Sequence, residues 1–196
     1  MFMTMTDGFD LFYRHWKVSG ECQSAILCVH GGGRNSEYFE RLGEALARDG
    51  IEVYAPDLRG FGNSVEKGLS RGDASNFRRH LQDLDEAVSY VRGKLPGKKL
   101  FMLGHSYGGN YAIWYAANHP DTLDGVVLMA PGVVTTLKPT PALLVKGLFS
   151  LLFAPKTLLR ADSMWPECVR NSEEVKFYNE NPLDTPLSAR FAIRGL

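Results

Sequence analysis

Apolar positions along this chain fall into short buried runs that alternate with longer amphipathic stretches. Asp10 to Val18 carries Leu11, Phe12, Tyr13, Trp16 and Val18 ahead of the turn pair Gly20-Glu21, which predicts an early strand. Ala25 to Val29 is a nearly continuous apolar run, the pattern of a strand covered on both faces. Over Tyr38 to Arg48, Phe39, Leu42, Ala45 and Leu46 recur at helical spacing, and Gly50 stands where a helix is closed. Ile51 to Ala55 predicts a further strand, ended by Pro56. Phe77, Leu81, Leu84, Val88, Val91 and Leu95 form one helical stripe, stopped by Pro96-Gly97. Leu100 to Leu103, Tyr107 to Asn118 and Val126 to Met129 then read as strand, helix and strand. This alternation predicts an α/β fold with a parallel sheet flanked by helices.

After Pro131 the rhythm is lost. Pro139, Pro141 and Pro155 bracket an apolar helical segment from Leu143 to Phe153, and no further strand with a clear αβ rhythm is legible before Leu196. The expected division is a core over 1–131 and a helical insertion over 132–196. Packing onto the core is the favoured reading of Leu143 to Phe153, ahead of an acyl-chain tunnel or contact with a membrane surface. Met164, Trp165 and Phe177 likewise read as packing residues first.

Charge and composition narrow the function. The chain has 22 Lys and Arg against 22 Asp and Glu, with no basic excess to hold a phosphate backbone, so nucleic acid is not an expected partner. Cys22, Cys28 and Cys168 are too few and too scattered for a disulfide framework or a zinc site. Without a basic and apolar leader at Met1 to Asp10, or an apolar run approaching about 20 residues, the expectation is a cytoplasmic protein.

Two motifs carry the chemistry. Gly104-His105-Ser106-Tyr107-Gly108 lies between a predicted strand and a predicted helix, where a tight turn presents the serine hydroxyl at the carboxyl end of the sheet. Ser106 is therefore the candidate nucleophile. His30-Gly31-Gly32-Gly33 ends a buried strand, and its glycines let the backbone approach a substrate closely. With the start of the helix at Tyr107, it predicts an oxyanion hole made by the amides of Gly32 and Tyr107. A phosphate loop is disfavoured, because no Gly-Lys-Ser/Thr follows the glycines.

Those two motifs, with Asp57-Leu58-Arg59-Gly60-Phe61-Gly62-Asn63-Ser64 between them, resemble the monoglyceride lipase, lysophospholipase and serine aminopeptidase branch of the α/β-hydrolases. The likeness runs from about residue 9 to 196, and the tract from Arg170 to Leu183 is similar to the cap of the monoglyceride lipases. It implies a cap inserted after the strand Val126 to Met129. It also implies hydrolysis of a small-molecule ester or lipid, such as a monoacylglycerol or lysophospholipid, through an acyl-enzyme with no cofactor and no metal. An aminopeptidase of the same branch is an alternative, and so is a catalytically silent module.

The order of the triad departs from that family. An acid and then a histidine should follow the serine, yet the only later histidine is His119, about 13 residues and so roughly 20 Å along the helix from Ser106. His105 should point to another side of the turn, while His15, His30 and His80 come too early in the order. His30 reads as a loop anchor, His80 as a solvated helix residue and Asp57 as a loop-fixing residue. Asp121, Asp124, Asp162 and Asp184 follow the serine, but none ends a predicted strand. The expectation is therefore that the chain ends within the cap, that acid and base lie beyond Leu196, and that these 196 residues alone are weakly active or inactive. A sheet ending at Val126 to Met129 should also expose an unpaired edge and apolar faces.

Overall fold

The computed structural model describes residues 1–76, 78–133, 145, 148–150, 152–159, 176 and 180–189. Its strands are β1 (Phe2–Thr4), β2 (Asp10–Trp16), β3 (Ser24–Val29), β4 (Ile51–Pro56), β5 (Lys99–His105) and β6 (Gly125–Met129). They form one sheet in the order β1-β2-β4-β3-β5-β6. β1 and β2 pair antiparallel, β2 runs antiparallel to β4, and β4, β3, β5 and β6 are mutually parallel. Helices α1 (Glu40–Arg48), α2 (Arg79–Lys94) and α3 (Tyr107–Asn118) make the crossovers that parallel neighbours require.

Continuous apolar runs become central strands because both faces are covered. Along β3, Ala25, Leu27 and Val29 join one buried cluster with α2 and α3, while Ile26 and Cys28 join a second cluster containing Phe39, with Leu42 and Leu46 of α1 packed against it. Burial of Ile26, Leu27 and Val29 contributes about 1.5–3 kcal/mol each relative to exposure. β1 was not expected, since three residues carry no periodicity; it is held by pairing Phe2 with Phe12 and Met3 with Leu11. The stretch predicted as one helix from Tyr38 begins as a 3₁₀ turn over Ser36–Phe39, because the Asn35 side chain caps the Glu37 amide at 2.9 Å.

His80 corrects the sequence reading. It is fully buried, not solvated, because α2 turns His80, Asp83, Leu84, Ala87, Val88 and Val91 inward. His80 and Leu84 are one helical turn apart and share a face, so a polar residue takes a core position and must find partners there. It finds them in the Arg59 carbonyl at 2.7 Å and the Tyr111 hydroxyl at 2.8 Å. Asp83 beside it is buried in a two-pronged pair with Arg59, both contacts at 2.8 Å.

Beyond β6 the described residues include a two-stranded antiparallel pair, β7 (Leu158–Leu159) with β8 (Leu187–Ser188), separate from the main sheet. This short pairing is not legible in the sequence. The favoured packing of Leu143 to Phe153 onto the core does not hold for the described apolar members: Val145, Leu148, Phe149, Leu152 and Phe153 are all exposed, Phe153 at 72%. Met164, Trp165 and Phe177 lie outside the described residues. β6 is the last strand of its sheet, and Val127, Leu128 and Met129 are exposed. Among the described residues no helix is long and apolar enough to cross a membrane.

Candidate active site

β5 hands the chain directly to α3 through a single residue, Ser106. Its backbone sits at φ 51° and ψ −116°, a region that L residues avoid and that persists only where the surroundings impose it. Three hydrogen bonds do so. The Ser106 amide donates to Met129 of β6 at 2.9 Å, and its carbonyl accepts from Gly109 at 2.9 Å and Gly132 at 3.3 Å.

The flanking glycines are required by space. A Cβ on Gly104 would meet the Gly108 carbonyl and lie 2.6 Å from the Gly109 Cα. One on Gly108 would meet the carbonyl oxygens of Val29 and His30. Strand, turn and helix are thus packed backbone against backbone, and α3 directs its first amides and the positive end of its dipole to the side where Ser106 stands.

The glycine-rich loop after β3 comes to the same place. A Cβ on Gly31 would be 3.2 Å from that of Ser106, and one on Gly32 would be 3.7 Å from that of Tyr107. Residues 31 and 32 therefore lie against residues 106 and 107, so Ser106, Gly32 and Tyr107 are brought together across about 75 residues of sequence. His30 fastens the loop from below. Its Nδ1–H donates to the Gly31 carbonyl at 2.8 Å, and its Nε2 accepts from the Leu58 amide at 2.9 Å. That tautomer is neutral, in keeping with a pKa held below the ordinary histidine value by burial. Asp57 fixes the loops on either side, accepting from the amides of Ser36 at 2.6 Å and Asn63 at 2.8 Å.

None of the five histidines hydrogen-bonds the Ser106 hydroxyl. His15 is paired with Glu52 at 2.6 Å, His30 and His80 are committed as described, and His119 stacks on Tyr115 at the far end of α3. His105 turns to the loop side, with Nδ1 3.4 Å from the place a Gly31 Cβ would occupy. Burial, and after it the Arg34 guanidinium, hold its pKa below the usual range. Of the later carboxylates, Asp124 accepts from the Leu100 amide and from Arg92, Asp121 is exposed and Asp162 lies outside the described residues.

Asp184, which ends no predicted strand, is brought to the site by the fold. It lies half-buried against the glycine-rich loop, accepting from Arg34, Tyr38 and Asn35. Burial raises its pKa, and those three contacts oppose the rise. No local signal marks it, because its partners lie about 150 residues away.

A parallel sheet in this order, a strained serine between β5 and α3, and a glycine loop folded over it define an α/β-hydrolase. The chain belongs to the serine aminopeptidase, S33 family, whose profile matches residues 20–194. It is 33% identical over 179 residues to monoglyceride lipase of Rattus norvegicus, covering 90% of this chain and 57% of that protein. It is 34% identical over 183 residues to monoglyceride lipase of Homo sapiens, covering the same shares. Among solved structures, a soluble variant of monoglyceride lipase from Saccharomyces cerevisiae superposes with a TM-score of 0.78 at 25% identity, over 97% of this chain and 64% of that one. The monoacylglycerol lipase of Paleococcus ferrophilus gives 0.73 at 28% identity, over 92% and 66%. The chain thus spans little more than half the length of the curated relatives it matches.

Proposed function

We propose that these residues form the nucleophile and oxyanion half of a serine hydrolase acting on carboxylic esters of the monoacylglycerol or lysophospholipid kind. The observation that carries the reading is the strained Ser106 held against the Gly31-Gly32 loop. In this reading the Ser106 hydroxyl adds to the ester carbonyl, and the amides of Gly32 and Tyr107 receive the developing oxyanion. The tetrahedral species then collapses to an acyl-serine with loss of the alcohol. Monoglyceride lipase relatives favour an ester over the peptide substrate that an aminopeptidase would take. Leu148, Phe149, Leu152 and Phe153, exposed together, support peripheral contact with a lipid surface. The free thiols of Cys22 and Cys28 suit a cytoplasmic setting.

The proton on Ser106 needs an acceptor, and none of the five histidines of the chain reaches it. Loss of a triad member costs on the order of 10⁴ to 10⁶ in turnover, so these 196 residues alone are expected to hydrolyse a short p-nitrophenyl ester barely above background. The same fact favours the second reading, a catalytically silent module. A fluorophosphonate at alkaline pH separates the two, since hydroxide then takes the Ser106 proton as fluoride leaves, and phosphonylation uses only the nucleophile and the oxyanion donors. The expected result is slow, stoichiometric adduct formation mapped by mass spectrometry to Ser106 and abolished in Ser106→Ala. No adduct after prolonged exposure, or an adduct that persists in Ser106→Ala, would reject the hydrolase reading.

A further inference from the structure

We propose that the segment 181–189 is a clamp that sets the conformation of the glycine-rich loop, with Asp184 as its positioning residue. The inference rests on the reading of Gly32 as an oxyanion donor. Asp184 holds the three side chains that follow the glycines at 34, 35 and 38: Arg34 and Tyr38 donate to Oδ2, and Asn35 donates to Oδ1 at 3.0 Å. The Thr185 amide donates to the Gly33 carbonyl at 3.0 Å. Leu187 lays its methyl groups 3.6 and 3.8 Å from the place a Gly32 Cβ would occupy, the same place that faces Tyr107. The loop is thus gripped by charge, by backbone and by an apolar contact on the residue that carries the candidate donor.

The opposite side of the segment is anchored as firmly. The Ser188 amide donates to the Gly72 carbonyl at 2.8 Å, and its hydroxyl donates to Asp73 at 2.8 Å. The Thr185 hydroxyl donates to the Arg71 carbonyl at 3.0 Å, while Arg71 donates to the carbonyls of Gly62 at 2.7 Å and Pro182 at 3.3 Å. Residues 181–189 therefore bridge the loops that leave β3 and β4 at their carboxyl ends. Arg34 and Asp184 are both shielded from water, with side chains 7% and 10% exposed, so the pair is geometrically definite and little screened. An oxyanion donor works only when its amide is aimed before the charge develops. A clamp that stops the loop from turning its amides away supplies that aim from outside the sheet.

Amide hydrogen exchange on the full chain tests the clamp directly. In Asp184→Asn, which keeps the shape and removes the charge, peptides covering residues 30–38 are expected to exchange at least tenfold faster while β4 and β5 peptides keep their rates. Fluorophosphonate labelling of Ser106 in the folded variant is expected to slow about tenfold. Asp184→Glu should recover part of both, and Glu180→Gln, at an exposed neighbour, should change neither. Unchanged exchange over 30–38 overturns the clamp whatever the label does. Faster exchange with an unaltered labelling rate refutes the positioning role. Faster exchange in a chain whose wild type takes no label supports the clamp and rejects the reading of Ser106. Should Asp184→Asn not fold, Tyr38→Phe removes one of the three donors and carries the same comparison, with an expected effect of about threefold.

Discussion

Gly108→Ala is expected to cost at least about 3 kcal/mol of unfolding free energy and to leave little folded protein at 37 °C. The added methyl group would meet the carbonyl oxygens of Val29 and His30, which are backbone atoms of the central strand and of the loop it feeds. A side chain could swing aside, but β3 is pinned between β4 and β5 and cannot. Helix α3 would have to tilt away, and that would pull Tyr107 from Gly32 and release the turn that strains Ser106. Gly93→Ala is the matched control. It lies exposed in α2 with nothing within 4 Å of the new methyl group, so alanine there should add up to about 1 kcal/mol through helix propensity. Urea unfolding of both variants beside the wild type checks the contrast. A Gly108→Ala midpoint close to that of the wild type would show that the turn is not packed as tightly as described.

The same glycines explain how much of the site was legible beforehand. A serine between glycines, placed after an apolar run and before a helical stripe, is a local pattern whose physical cause is also local: two crossings too close for a Cβ. The run Gly31 to Gly33 is of the same kind. Both could be read, as could the five longer strands and three helices, because periodicity reports which faces are buried. Residues whose partners are remote carry no such mark. Asp184 is legible in the sequence only as a carboxylate that follows the serine and ends no predicted strand, because the fold alone brings it to Arg34, and nothing near Leu187 points to Gly32. His80 failed for a different reason. Its polarity hides its core position, although 80, 84, 87 and 91 describe one face as well as 81, 84, 88 and 91 do. The exposed apolar residues between Val145 and Phe153 show the converse, since a helical stripe states that a face is apolar without stating what covers it.

His80 should make the stability of the folded chain depend on pH in a definite window. Its Nε2 faces the Arg59 carbonyl, which can only accept, so Nε2 carries the proton. With the ring neutral, Nδ1 accepts from the Tyr111 hydroxyl at 2.8 Å, and the Tyr111 oxygen in turn accepts from the Tyr107 hydroxyl at 2.7 Å. The order of donors runs from Tyr107 to Arg59, ending beside the Arg59–Asp83 pair, and a second ring proton on His80 would break it. Burial is the main cause that brings the His80 pKa down to about 4; the Arg59 carbonyl opposes it, and the positive charge of the Arg59 guanidinium acts with it.

The sign follows from proton counting. Above pH 6.5 the ring is neutral in both folded and unfolded chains, and its contribution to stability is fully present. Between 6.5 and 4 the unfolded chain takes up a proton that the folded chain refuses, and about 3 kcal/mol is lost as the pH falls. Below 4 there is no further loss from this group. His30, also depressed by burial, acts in the same direction. Asp83 and Asp184, raised by burial, act in the opposite one. The difference between wild type and His80→Phe isolates the histidine, since the other groups are common to both chains. At pH 7 the variant is expected to be less stable by about 1–3 kcal/mol, because the Arg59 carbonyl is left without its buried donor. By pH 4 that deficit should shrink or reverse, as phenylalanine has no proton to gain. A constant difference between the two unfolding curves from pH 7 to 4, or a His80 ring signal titrating near 6.5, would rule out the neutral relay behind Tyr107.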